Sequence, residues 1–152
     1  MQNLKPILLV EDDLVDAMTF KRALKDLEIR NEVVHTLNGE EALKHLSSEE
    51  NTEPCFIFLD LNMPRMNGIE FLKVAKADEA LKKIPVIVLT TSDNEKDIME
   101  SFELGIAGYM LKPADYKAFV DAIRTVNLYW NLSKLPNKGK DHERYEVQNT
   151  VG

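Results

Sequence analysis

Four short runs of apolar residues are spaced along the chain, and none of them alternates with polar residues. They comprise residues 7–10, 55–59, 85–89 and 108–111. Continuous apolar runs of this length are typical of strands that are buried on both faces, as in a parallel sheet covered by helices. A fifth run, residues 32–36, is more polar at its ends, and we predict that it forms an edge strand.

Helical periodicity fills the intervals between these runs. Apolar residues recur at helical spacing in residues 14–28, 39–48, 68–76, 94–104 and 115–130. In the fourth of these segments the predicted buried stripe contains Ile98 and Phe102, with Met99 beside them. The strand–helix alternation, repeated five times, predicts an α/β fold with a parallel sheet. The flavodoxin-like strand order 2-1-3-4-5, a (βα)5 three-layer sandwich, fits these units and places the polar second strand at an edge.

Length and composition indicate one folded domain. The 152 residues are 44% hydrophobic and 30% charged, and the chain becomes polar near its end. We predict a domain over residues 1–132 and a polar tail over residues 133–152. No apolar run approaches the length that crosses a bilayer, and the single cysteine, Cys55, suits a cytoplasmic location. The formal net charge of −7 argues against a general affinity for nucleic acid or anionic membranes.

Polar side chains follow four of the predicted strands at their carboxyl ends, where open α/β sheets bind ligands. The second predicted strand ends without a reactive side chain. The polar residues are Glu11, Asp12 and Asp13 after the first strand, Asp60 and Asn62 after the third, Thr90 after the fourth and Lys112 after the fifth. Each has an ordinary structural explanation, such as an acidic helix start, a loop, a helix cap or a surface lysine. Their joint occurrence at the ends of four strands favours a functional site.

Phosphoryl transfer to a carboxylate requires a set of this kind. A phosphoryl group carries about two negative charges, so a site that already holds three acidic residues would repel it. Mg²⁺ suits carboxylate oxygens and can offset this repulsion. We therefore predict that Asp60 is the nucleophile, that Lys112 supplies a positive charge and that the Thr90 hydroxyl donates a hydrogen bond to the phosphoryl group.

Four motifs resemble the receiver domains of two-component response regulators. They are Leu8-Leu9-Val10-Glu11-Asp12-Asp13, Asp60-Leu61-Asn62-Met63-Pro64 with Gly68, Leu89-Thr90, and Gly108-Tyr109-Met110-Leu111-Lys112-Pro113. The resemblance spans roughly residues 5–127. It implies a phosphoacceptor signalling protein that assists its own phosphorylation and dephosphorylation, and not an enzyme in the ordinary sense.

The resemblance also implies a role for each matching residue. Asp60 corresponds to the phosphorylated aspartate, and Lys112 corresponds to the phosphate-binding lysine. The Mg²⁺ ligands would be Glu11, Asp12, Asp60 and the backbone carbonyl of Asn62. Thr90 and Tyr109 correspond to the switch hydroxyl and the switch aromatic residue. The Lys112–Pro113 bond corresponds to a position that is usually cis. Two positions depart from the pattern: Thr91 is larger than is common, and Ala114 replaces a frequent aromatic residue.

Three alternatives fit the sequence less well. A phosphatase of the haloacid-dehalogenase type needs a second aspartate two residues after the nucleophile, where this chain has Asn62. A nucleotide-binding module is disfavoured because neither glycine-rich phosphate-binding motif is present. A receiver that binds partners without being phosphorylated would not need the intact acidic, lysine and threonine set.

The end of the last predicted helix suggests how a signal is passed on. About 20 residues follow that helix, which is too few for an output domain, so we expect phosphorylation-controlled protein–protein interaction. The helix ends in Tyr129 and Trp130, followed by Leu135 and Pro136, and this resembles stand-alone regulators paired with bacterial phytochromes. The expected partner is a sensor histidine kinase, and the resemblance favours the phytochrome type. The aromatic pair is expected to form a homodimer contact or to pack on the core, and the sequence leaves both open.

Overall fold

The computed structural model of this protein describes residues 4–132. The predicted polar tail, residues 133–152, lies outside the described residues, and its boundary therefore stays a prediction. None of the helices in the described part of the chain has both the length and the apolar character that a membrane crossing requires.

Five short parallel strands form one sheet in the predicted order. The strands are β1 (Ile7–Val10), β2 (Val33–Thr36), β3 (Phe56–Leu59), β4 (Val86–Thr90) and β5 (Gly108–Leu111). Their order in the sheet is β2-β1-β3-β4-β5. β1, β3 and β4 are buried along their whole length, whereas β2 is half-buried at three of its four positions. The apolar runs therefore predicted the strands and the edge position of β2. The expected burial on both faces was wrong for β5, because it is the other edge strand: three of its residues are half-buried and Leu111 is 50% exposed.

Five helices cover the two faces of the sheet. The helices are α1 (Leu14–Asp26), α2 (Gly39–Ser47), α3 (Gly68–Ala77), α4 (Glu95–Glu103) and α5 (Tyr116–Leu132), with a short 3-10 helix at Leu81–Lys83. Side-chain caps fix several helix starts, as at α2, where the Asn38 side chain accepts a hydrogen bond from the Glu41 N–H at 2.9 Å. The α/β fold with five strand–helix units is thus confirmed.

Alternate residues of each central strand belong to two separate hydrophobic cores. Leu8 and Val10 pack in the core beneath α2 and α3, whereas Ile7 and Leu9 pack in the core beneath α1 and α5. This alternation follows from the two-residue period of a strand. The result is the predicted three-layer sandwich, in which the three central strands are buried on both faces.

The predicted buried stripe of α4 was wrong at Phe102 and Met99, whereas Ile98 is half-buried. Phe102 is 51% exposed and Met99 is 61% exposed, and the buried residue of this helix is Ser101. Each helical residue is rotated by about 100° from the one before it, so a helix that turns Ser101 inward points Phe102 away from the sheet. Leu104 and Ile106, which follow the helix, fill the adjacent part of the core instead.

The two aromatic residues near the end of α5 have different environments. The Trp130 ring packs on Phe56 with a centroid distance of 4.4 Å and joins the core beneath α1 and α5. Tyr129 is 67% exposed, and its neighbour Leu128 is also exposed. The core-packing alternative therefore holds for Trp130, whereas Tyr129 remains available for contact with another molecule.

Candidate functional site

Three carboxylates converge where β1 and β3 end. The parallel register pairs Val10 with Leu59, so Glu11 and Asp60, the next residue on each strand, lie side by side. Carboxylate oxygens of Glu11, Asp12 and Asp60 all lie within 4.8 Å of one another. Glu11 and Asp60 are buried and Asp12 is exposed. This is an oxygen-rich cluster with one side open to solvent, as a hard divalent cation that keeps several waters requires.

Lys112 enters the same cluster from β5. Its backbone N–H donates a hydrogen bond to the Thr90 carbonyl at 2.8 Å, which extends the β4–β5 pairing by one residue. Its ammonium Nζ lies 2.6 Å from Glu11 Oε1, 2.8 Å from Asp16 Oδ2 and 3.7 Å from Asp60 Oδ2. The Lys112 side chain is only 13% exposed, so these contacts are made largely away from bulk water.

The site is short of positive charge. Burial and, to a smaller extent, the nearby charge of Asp60 raise the pKa of Glu11 from 4.5 to about 7, although the hydrogen bond and charge of Lys112 oppose both effects. Burial alone would lower the pKa of Lys112, but its hydrogen bonds to Asp16 and Glu11 raise that pKa above its usual value. One ammonium group therefore does not offset the surrounding carboxylates, and a bound cation would.

Thr90 and Tyr109 meet at the loop between β4 and α4. Thr90 is fully buried, and its Oγ1 accepts a hydrogen bond from the Ser92 N–H at 3.3 Å. The Tyr109 hydroxyl donates to the Ser92 carbonyl at 2.7 Å. Burial raises the pKa of Tyr109, so the phenol stays a hydrogen-bond donor at neutral pH. Both predicted switch residues thus contact the same loop residue.

Asn62 lies beside Asp60 with its side chain exposed. Its backbone N–H is directed at Asp60 Oδ1 over a distance of 3.4 Å. The structure therefore brings together the sequence-predicted residues Glu11, Asp12, Asp60 and Lys112, and it places Asn62 at the margin of this group.

Sequence reasoning missed two contacts of the site. Asp16, in the first turn of α1, binds Lys112, and the sequence offered no signal for this contact, because an acid in the first turn of a helix is common. His35, inside β2, lies with its Nε2 2.7 Å from the Glu11 carbonyl oxygen. The strand pattern offered no signal for that contact, because His35 precedes the end of its strand.

The expected cis bond was wrong. There is no cis peptide bond within residues 4–132, so the Lys112–Pro113 bond is trans. The trans form is the intrinsically favoured isomer of a bond that precedes proline, by about 0.5–1 kcal/mol.

Gly68, at the start of α3, packs closely against the backbone of Asp60 and Leu61. Its N–H donates to the Leu61 carbonyl at 3.0 Å. A Cβ atom at this position would lie 2.6 Å from the Asp60 carbonyl oxygen and 2.6 Å from Leu61 Cα. Only a residue without a side chain allows the start of α3 to approach the end of β3 so closely.

Replacing Gly68 with alanine is expected to lower the free energy of unfolding by about 3 kcal/mol, because backbone atoms must move to relieve the overlap. Urea denaturation measures this change. Gly108→Ala is the matched control, since a Cβ there would meet no atom within 4 Å. Equal stability of the two variants would contradict the close approach at Gly68.

Comparison with known proteins agrees with this geometry. The family model described as response regulator receiver domain matches residues 7–124. The response regulator Rcp1 of Synechocystis sp. is 36% identical over 130 residues, which cover 83% of this chain and 88% of Rcp1.

Two solved structures are similar over most of their length. The phosphorylated cyanobacterial phytochrome response regulator RcpA has a TM-score of 0.82 and 35% identity. The match covers 89% of this chain and 100% of that chain. The Mn²⁺-bound form of Rcp1 has a TM-score of 0.79 and 36% identity, with 88% of this chain and 99% of that chain covered. These relatives include one that is phosphorylated and one that holds a divalent metal.

Proposed function

Because the chain belongs to the response regulator receiver domain family, we propose that Asp60 is the residue on which it accepts a phosphoryl group. The protein is a response regulator of two-component signal transduction, and it signals under the control of phosphorylation. One observation supports the assignment of Asp60 most strongly. Asp60 is buried at the end of the central strand β3, with the oxygens of Glu11 and Asp12 within 4.8 Å and the Lys112 ammonium 3.7 Å away.

The Asp60 carboxylate would attack the phosphorus atom of the donor and form an acyl phosphate, while the donor's leaving group departs with the former bond's electrons. Lys112 is near enough to meet the new phosphoryl oxygens after a small movement. The buried Thr90 hydroxyl, at the end of the neighbouring strand β4, would donate a hydrogen bond to another oxygen. Catalysis of this kind depends on positioning and charge stabilisation. The same groups would serve hydrolysis of the acyl phosphate, in which water attacks the phosphorus and the Asp60 carboxylate leaves.

The acidic cluster fits a divalent metal, and we propose Mg²⁺ held by Glu11, Asp12, Asp60 and the carbonyl of Asn62. Three carboxylates with too little positive charge around them are the ligand set that a hard cation prefers. Burial, and after it the nearby charge of Asp60, raises the pKa of Glu11, and a bound cation would favour the charged form of this carboxylate. When bound, the ion would neutralise the charge that develops on the phosphoryl oxygens.

Phosphorylation would be transmitted by the loop between β4 and α4. A phosphoryl group on Asp60 would draw the Thr90 hydroxyl toward it, and Thr90 would then release the Ser92 N–H that it now accepts. Tyr109, which is tied to Ser92 through its hydroxyl, would lose that anchor and turn inward. The surface made by α4, β5 and α5 would change as a result.

Beryllofluoride with Mg²⁺ is expected to mimic this change and to alter amide hydrogen exchange over residues 90–112. The reason is that the Ser92 N–H would lose its bond to Thr90, and the Tyr109 hydroxyl would lose its bond to Ser92. Exchange followed by mass spectrometry measures the effect, and Thr90→Ala should reduce it. Identical exchange over these residues with and without beryllofluoride would contradict the proposed switch.

The proposed phosphodonor is a sensor histidine kinase, and the similarity to Rcp1 and RcpA favours a kinase of the phytochrome type. We further propose that the phosphorylated chain acts by binding other proteins, without nucleic acid or membrane partners, as its charge of −7 suggests. A cytoplasmic location stays a prediction.

The exposed end of α5 is the proposed homodimer contact. Leu128 and Tyr129 are 56% and 67% exposed, whereas Trp130 packs on Phe56. A symmetric pair of chains would bury the two exposed side chains.

Tyr129→Ala is therefore expected to dissociate the dimer without unfolding the chain, and Trp130→Ala is expected to destabilise the fold by about 2–3 kcal/mol through loss of core packing. Light scattering and thermal melting distinguish the two effects. A folded wild type that stays monomeric at tens of micromolar, with or without beryllofluoride, would exclude the dimer.

A further inference from the structure

Lys112 is held between two carboxylates, and only one of them belongs to the acidic cluster. Its ammonium lies 2.6 Å from Glu11 and 2.8 Å from Asp16, whereas Asp60 is 3.7 Å away and beyond normal hydrogen-bond distance. Asp16 is not a member of the group of carboxylates whose oxygens could hold a metal together. Asp16 therefore contacts the lysine and not the ion site.

Asp16 is held in place by the start of α1. Its backbone N–H donates to Asp13 Oδ1 at 3.0 Å, as part of the cap that begins this helix. The Asp16 side chain is 42% exposed, and the contact with Lys112 bridges the first turn of α1 and the end of β5. A carboxylate fixed in this way draws the ammonium toward α1.

We propose that Asp16 is a positioning residue that retains Lys112 in the unphosphorylated state and competes for it with the phosphoryl group on Asp60. The inference rests on the proposed function of Asp60. A cation that engages Glu11 would weaken the hold of Glu11 on Lys112, and Asp16 would then be the remaining partner of the ammonium. A movement of the ammonium toward a phosphoryl oxygen on Asp60, from which it is now 3.7 Å away, would lengthen its 2.8 Å contact with Asp16. Asp16 thus opposes the phosphorylated conformation and sets how readily it forms.

Beryllofluoride binding at saturating Mg²⁺, measured by titration calorimetry, tests this competition. Asp16→Asn keeps the size of the side chain and removes its charge, and we expect it to tighten beryllofluoride binding about fivefold, the effect of a partly exposed ion pair. Glu53→Gln is the matched control, because Glu53 is an exposed acid before β3, at the opposite end of the sheet from the site, and the salt bridges of Lys112 within residues 4–132 are with Glu11, Asp16 and Asp60. We expect its affinity to stay near that of the wild type.

A second measurement follows Lys112 directly. In wild-type protein without beryllofluoride, the ¹⁵N-detected signal of the Lys112 ammonium should be protected from exchange with water, and Asp16→Asn should reduce that protection while Glu53→Gln should not.

Different results would contradict the positioning role of Asp16 and the phosphoacceptor role of Asp60. Equal tightening in both variants would mean that only net charge matters and would overturn the positioning role, as would an unchanged affinity of Asp16→Asn. A wild type that binds no beryllofluoride would instead remove the proposed function, and this inference with it.

Discussion

Asp60→Asn is expected to reduce phosphoryl uptake to background, both from acetyl phosphate and from an autophosphorylated sensor kinase. An amide has nearly the same shape as a carboxylate but lacks the nucleophilic oxygen anion that attacks phosphorus. The Asp60 side chain is buried at the carboxyl end of the central strand β3, near the Asn62 N–H and the Lys112 ammonium. An amide oxygen can replace the carboxylate oxygen in both contacts. The loss should therefore reflect chemistry and not unfolding.

Intact-mass analysis with Mg²⁺ and acetyl phosphate measures this uptake. Glu53→Gln, the same replacement of a carboxylate by an amide at an exposed acid before β3, is the control and should label as the wild type does. Equal labelling of Asp60→Asn and the wild type would show that another residue is the acceptor.

Mg²⁺ is expected to raise the melting temperature of the wild type and to have little effect on Asp12→Ala. A ligand that binds only the folded state stabilises it by about 2.7 kcal/mol at a hundredfold excess over the dissociation constant. Asp12 is exposed, so its removal should leave the core intact while it deletes one of the three carboxylates. A full Mg²⁺ shift in Asp12→Ala would show that this residue is not a ligand, and Glu53→Ala should keep the shift.

The Mg²⁺ effect should also depend on pH. Burial raises the pKa of Glu11 from 4.5 to about 7, so the folded protein without metal binds a proton more tightly than the unfolded chain does. The stability that this contributes is fully present below about pH 4.5 and is lost as the pH rises through about 7. Metal ligation needs the deprotonated carboxylate, so Mg²⁺ should stabilise the protein more at pH 8 than at pH 6. A Mg²⁺ shift that is the same at both values would contradict this coupling.

The arrangement of the sheet was predictable because the central strands are buried on both faces. A continuous apolar run such as residues 7–10 is typical of a strand that is buried on both faces of a parallel sheet. The order of the strands then determined which polar residues would meet, and Glu11, Asp60 and Lys112 do meet. Parallel strands that end at one edge bring their next residues together regardless of distance along the chain.

Helix orientation was less predictable. α4 carries several large apolar residues, but the small residue Ser101 faces the sheet, and the partners that decide this lie in another part of the chain. The same holds for Trp130, whose packing partner Phe56 is on β3. A pattern along one helix describes which residues share a face, and it does not describe what that face meets.

The contact between Asp16 and Lys112 could not be predicted from the sequence. The two residues are far apart in sequence, and each has an ordinary explanation as a helix-start acid or a surface lysine. Only the short distance between their charged groups reveals a third partner of the lysine. Ion pairs of this kind depend on side-chain reach as well as on strand order, and spacing alone does not determine them.

The most direct test of this account is to locate the phosphoryl group chemically. An aspartyl phosphate is a mixed anhydride, which borohydride reduces to the alcohol, so a phosphorylated aspartate is converted to homoserine. Wild-type protein treated with acetyl phosphate and Mg²⁺, then with borohydride, should yield a tryptic peptide with this modification at Asp60, and omission of Mg²⁺ should prevent it. Modification at Asp12, Asp13 or another residue, with Asp60 unchanged, would contradict the account.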